Sequence, residues 1–162
     1  MARLEFWTRG LTAQTSATRP ANTTAYTAGD VVGATAAAWE FVNIGRAGET
    51  ISITDVDLRI DVASVPSGMG AFQLHLYDIS PPSALADNAA WDLSSGDRAA
   101  YLGYIDLTVP VDMGSTLFSQ TNGTSWKVLR LASSSLFAYL VTVGAYTPTS
   151  AAVKTIRINA RM

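Results

Sequence analysis

The residues best equipped for chemistry are acidic, and they fall into two groups. Asp55, Asp57 and Asp61 share one short stretch, and Asp78, Asp87, Asp92 and Asp97 follow in and around the polar segment Ala84–Ala100. Two carboxylates facing each other across a cleft can divide acid and nucleophile work on a glycosidic bond. Oxygen ligands drawn from loops, as at Asp87-Asn88 and Asp92, can hold calcium, but no EF-hand spacing accompanies them. His75 is the single histidine, too few for a His-rich metal centre but enough for a Ser-His-Asp triad. No Gly-x-Ser-x-Gly elbow is present to supply the serine. The chain has no cysteine, which removes thiolate nucleophiles, thiolate metal sites and disulfides. Gly68-Met-Gly70 lacks the strand-to-helix setting of a phosphate loop and reads as a hairpin turn. The three glutamates, Glu5, Glu40 and Glu49, are scattered. These patterns predict neither an enzyme nor a resident metal or cofactor.

The elements that carry these residues are β-strands. Ile51 and Ile53 alternate with polar residues, then Val56, Leu58, Ile60 and Val62 alternate in the opposite phase. A period of two places one strand face in a core and the other in water. An extra residue at Thr54-Asp55, a β-bulge, would bring both halves onto the same core. The three aspartates then fall on the polar face, flanked by Arg59 and Arg46, and read as solvated. After a turn at Pro66–Gly68, Phe72, Leu74 and Leu76 repeat the alternation, which sets His75 on the polar face as a solvated or interface group. Ser80-Pro-Pro-Ser83 ends that ladder, because proline has no N–H to donate. Trp39–Ile44, Tyr101–Val109, Leu136–Thr147 and Ala152–Ala160 read as further strands. Asn122-Gly123 reads as a turn, with a strand over Thr124–Ala132 after it.

These segments predict an all-β protein of about eight strands, an antiparallel two-sheet sandwich of jelly-roll type, with an immunoglobulin-like sandwich as the alternative. Residues 39–162 form the sandwich domain. Residues 1–38, rich in Thr, Ala and Gly, read as an extended N-terminal arm and loops with a short strand near Asp30–Val32.

Charged residues make up 15% of the chain, against about 25% in ordinary soluble domains. A surface this poor in charge suits a protein that covers itself by assembling. The net charge of −2 argues against a nucleic-acid partner. No apolar run approaches the roughly 20 residues that span a bilayer, and Met1–Arg9 has no apolar core of a secretory signal. Only Lys127 and Lys154 among the eleven basic residues are lysines, and arginine is the cation better suited to protein interfaces.

The middle of the chain carries a resemblance. Ser52–Leu58, then Phe72-Gln-Leu-His-Leu-Tyr-Asp-Ile-Ser-Pro-Pro82, Ala86-Asp-Asn-Ala-Ala-Trp-Asp92, Ser95-Gly-Asp97 and Tyr101-Leu-Gly-Tyr-Ile105 form an ordered set. It is similar to a pattern in small structural proteins of tailed bacteriophages. The match spans residues 49–109, about a third of the chain. Some proteins of this kind resemble jelly-roll head decoration, or cement, proteins. The resemblance implies a dimer or trimer on the outer capsid surface, bracing the major capsid protein lattice. It carries no catalytic residues. The alternative is a tail, neck or fibre module, structural or adhesive, that recognises a host-surface glycan. For the capsid role the expected contacts are Phe6 and Trp7 in the arm, and Trp91 with Asp87, Asn88 and Asp92 in the loop. A tryptophan in a loop is a rigid anchor at low entropic cost. Trp39 and Trp126 fall in strand patterns and are expected in the core or at its rim.

Overall fold

A computed structural model of the chain describes residues 9–33 and 37–162, apart from the side chains of 124–126. Its strands are β1 (Gly10–Thr18), β2 (Val31–Val32), β3 (Trp39–Phe41), β4 (Thr50–Ile60) and β5 (Phe72–Tyr77), followed by β6 (Tyr101–Leu107), β7 (Val111–Asp112), β8 (Leu117–Arg130), β9 (Leu136–Thr142) and β10 (Val153–Arg161). One sheet runs β1-β10-β4-β8-β7. The other runs β2-β9-β5-β6, with β3 also paired to β9. The antiparallel pairs β1:β10, β3:β9, β4:β8 and β5:β6 are nested in the chain like the rungs of one long hairpin. Rolling that hairpin sends most successive strands to opposite sheets, which is the jelly roll.

The core lies where the two inner faces meet. β4 sends in Ile51, Ile53, Val56, Leu58 and Ile60; β5 sends Phe72, Leu74 and Leu76 against them, with Ile156 and Ile158 from β10. Thr54 is the extra residue predicted from the phase slip. Asn159 pairs with Asp55 and Ala160 with Ile53, so Thr54 stands outside the register. The bulge restores the phase, and all five apolar residues of β4 are buried.

Three expectations are corrected. The segment read as an arm includes β1, which pairs with β10 from Gly10 to Thr18 without a register break. Its inward residues, Leu11 and Ala13 among them, are mostly small, so the strand is held more by its ladder than by apolar side chains, and the sequence signal is weak. Asn122-Gly123 is not a hairpin turn. Both halves of β8 pair with β4, and residues 123–126 stand outside the register between Asn122 and Lys127. An Asn-Gly step makes a hairpin only when its flanks pair with each other. Likewise Pro66–Gly68 joins strands of different sheets rather than a hairpin.

That crossover requires Gly68. Its φ is +84°, and a Cβ there would lie 2.6 Å from the Ala145 carbonyl oxygen. Backbone cannot yield as a flexible side chain does. Gly68→Ala is expected to lower unfolding free energy by about 1–3 kcal/mol, read from urea denaturation. A variant as stable as the parent would show that the turn relaxes freely.

Candidate functional site

The outer face of the second sheet is where the sequence placed His75. Register sets His75 beside Tyr104 of β6 and Tyr139 of β9, with Tyr77 beside Tyr101 and Phe137. That parity is as expected, but the exposure is not: His75 is only 3% exposed. The segment between β5 and β6 folds back over the sheet as a lid. The Trp91 ring lies 3.9 Å from the imidazole, and the Tyr101 hydroxyl is 2.9 Å from its Nδ1. Trp91 Nε1 donates to the Tyr77 hydroxyl at 3.3 Å. Tyr139 donates to the Ser83 carbonyl and accepts from the Leu85 N–H. Asp97 accepts from the Ser83 N–H and the Ser94 hydroxyl. A second apolar cluster results, centred on Val31, Tyr77, Ala100, Tyr139 and Val141, with Trp91, Leu85 and Leu93 packed on it. Burial pushes His75 down to about 4, and its Nε2 has no partner among the described residues.

Asp87 ties the lid to the start of the chain. Its Oδ1 accepts from the Tyr26 hydroxyl and from the Gly33 N–H at 3.0 Å; its Oδ2 accepts from Arg19 at 3.3 Å. The Arg19 and Asp87 side chains are 0% and 4% exposed. Arg19 also donates to Tyr26 and to Asn22. Ala17 pairs with Lys154, and the Arg19 N–H bonds to the Ala152 carbonyl. Arg19 and Lys154 are therefore diagonal neighbours on the inner face. Burial pulls the Lys154 ammonium down to about 8, against the opposing field of Asp87. Its Nζ and the Tyr146 hydroxyl have no partner among the described residues. Burial also raises the Tyr26 and Tyr146 hydroxyls well above their ordinary value. Sequence reasoning missed Arg19, Tyr26 and Lys154. The available signal was phase: Arg19 continues the Leu11, Ala13 row, and Lys154 begins the Ile156, Ile158 row.

The candidate contacts thus separate. Asp87 is consumed inside the fold. Asn88 holds a left-handed backbone with φ +66°, donates its N–H to the Val31 carbonyl, and leaves its Oδ1 buried. Trp91 is half-buried against His75, and Asp92 is exposed. Phe6, Trp7 and the Trp126 side chain lie outside the described residues. Trp39 is in the core, its Nε1 donating to the Val32 carbonyl.

The aspartates of β4 are also not simply solvated. Asp57 is fully buried and paired with Arg157 of β10. Asp55 accepts from Asn159 and Thr54, while Asp61 is exposed. Asp57 and Asp55 each meet the residue directly opposite on β10, Arg157 and Asn159, rather than Arg59 or Arg46, because directly opposite residues lie closer than residues two apart on one strand. Among the described residues, no three His, Asp or Glu side chains gather in a way that could hold a metal ion.

One open cleft lies at the β6–β8 side. It is about 340 Å3 and has Ile53, Val56 and Ile105 among its lining, with Tyr104, Asp106, Asn122 and Lys127. Tyr104 is 47% exposed. On the first sheet, β7 carries Val111, 62% exposed, with Met113, 68% exposed, just after the strand and Val109 before it. Val111 lies opposite Phe118 of β8, so an apolar ridge runs along this edge.

No protein-family model and no curated protein sequence matches the chain. Among solved structures it is weakly similar to a bacterial lipoprotein from Bacteroides thetaiotaomicron, with 9% identity over 94% of this chain and 84% of that one and a TM-score of 0.35. It is also weakly similar to a chain of the Israel acute paralysis virus pentamer, with 13% identity over 95% and 88% and a TM-score of 0.32. A chain of the Triatoma virus empty capsid gives 9% identity over 96% and 87% and a TM-score of 0.30. At these scores the likeness is one of two-sheet architecture.

Proposed function

We propose that this chain is a virion structural protein that binds the outside of a tailed-bacteriophage capsid and braces its major capsid protein lattice. The observation that carries the reading is the apolar ridge Val109, Val111 and Met113 with Phe118. It is the kind of exposed patch that marks a protein contact. The titratable groups that first suggested chemistry are mostly turned to other work: His75, Asp57, Asp87 and Asp97 hold the fold together. The ordered resemblance over residues 49–109 supplies the capsid, and the low charge content agrees with a surface made for packing. The mechanism is mass action. A protein that binds only the assembled lattice stabilises it by RT ln(1 + [L]/Kd).

The test is binding to purified undecorated capsids, with occupancy counted by cryo-electron microscopy. The parent chain is expected at regular sites on the outer shell. Val111→Asp combined with Met113→Asp should weaken binding by about tenfold or more without unfolding the protein, since both side chains are exposed. No binding of the parent sinks the capsid reading; undiminished binding of the variant removes the ridge from the contact. One observation favours a second reading: Tyr104, which lines the β6–β8 cleft with Asp106 and Asn122, is suited to stacking on a sugar ring. Saturable binding on a glycan array, lost in Tyr104→Ala, would move the assignment to a tail, neck or fibre adhesion module.

A further inference from the structure

Sheet edges expose unpaired N–H and C=O groups, and natural proteins defend them with short length, charge, proline or bulges. Three of the four edges here are defended, β2 and β3 sharing one of them along β9. β2 and β7 are two residues each, and β3 is three with Glu40 at its centre. β6 carries Asp106, a register break against β5 and the Lys127 ammonium lying over Gly103. β1 has none of these devices. It is nine residues long, contains no charge and no proline, and pairs with β10 without a bulge. Among the described residues no strand pairs with its other side.

We infer that β1 is a dimer edge, and that its occupant is β1 of a second copy, antiparallel across a two-fold axis at Gln14. The sequence of the strand is self-complementary in that register. Gly10 falls opposite Thr18 of the other copy, Leu11 opposite Ala17, Thr12 opposite Ser16, Ala13 opposite Thr15, and Gln14 opposite itself. A two-fold antiparallel pair keeps each sheet face on one side, so every pair must join residues of like parity. Here the inward row, Leu11, Ala13, Thr15 and Ala17, meets its own kind. The exposed row Thr12, Gln14 and Ser16 does the same, with hydroxyl opposite hydroxyl. The one like-charge encounter, Arg9 with Arg19, is relieved because the Arg19 guanidinium is turned inward onto Asp87. Two five-stranded sheets thereby become one continuous sheet with the unprotected edges removed. The inference rests on β1 alone and does not depend on the capsid reading; a monomer that still decorated capsids would end the first and keep the second.

The test is sedimentation of the full chain with Gln14→Lys, Gln14→Glu and an equimolar mixture of the two. Gln14 is exposed, so each variant is expected to keep its circular dichroism and melting profile. The parent should sediment at twice the chain mass. Each variant alone places like charges face to face and should weaken dimerisation by on the order of tenfold; the mixture should restore it. Hydrogen exchange on the parent gives a readout free of mutation: β1 amides not bonded to β10 should be protected when concentrated and exchange on dilution. A monomeric parent, or a dimer that neither variant weakens, overturns the proposal.

Discussion

Asp87→Ala is expected to destabilise the protein by about 3–5 kcal/mol, the usual penalty for leaving one charge of a buried pair without its partner. The Asp87 carboxylate meets Arg19, Tyr26 and the Gly33 N–H at once, and the Arg19 side chain is fully buried. Without it, Arg19 and the neighbouring Lys154 remain as two buried cations with no carboxylate between them. The contact also joins segments 68 residues apart, so its loss loosens the lid's hold on the segment that follows β1, leaving its backbone bonds to Val31 and Gly29. Asp87→Asn should cost less, because an amide oxygen can still accept from Tyr26 and Gly33 while the charge opposite Arg19 is gone. Urea denaturation of the two variants measures both. A cost for Asp87→Ala below about 1 kcal/mol, the range of an exposed ion pair, would mean that the cluster is open to water.

The second large effect is a loss of stability in mild acid. His75 has its pKa lowered from 6.5 to about 4 by burial, so the unfolded chain takes up the proton first. Its contribution is complete above pH 6.5 and is lost as pH falls from 6.5 toward 4, amounting to about 3 kcal/mol at the lower end. The difference in unfolding free energy between the parent and His75→Phe, followed from pH 8 to pH 4, isolates this term from the carboxylates. It should be flat above pH 6.5 and turn against the parent below. Trp91→Ala uncovers the imidazole, and its pKa, followed by NMR, should rise toward 6.5. A parent His75 titrating near 6.5 would show that the lid does not cover it in solution.

Both effects arise from burial that the sequence does not announce: it offers Asp87 as part of a loop contact surface and His75 as a solvated or interface group. Alternation located β4 and β5, their inward rows and the bulge at Thr54, because a period of two and a break in it are local properties of the chain. β1 escaped notice for the opposite reason: its inward residues are mostly too small to make the alternation stand out. The break in β8 at Asn122-Gly123 was misread because a turn-forming pair looks the same whether its flanks pair with each other or with a third strand.

The sequence by itself determined the class, the phase of the long strands and the side of the strand on which His75, Asp55 and Asp57 lie. Only the tertiary structure decided what covers that side. Asp57 is neutralised by an arginine 100 residues downstream, His75 is roofed by Trp91 from the next connection, and Asp87 is claimed by Arg19 and Tyr26 from the start of the chain. Periodicity reports which way a side chain points. Whether it then meets water or protein depends on contacts between remote segments, which exist only once the sheets have closed and the loops have settled on them.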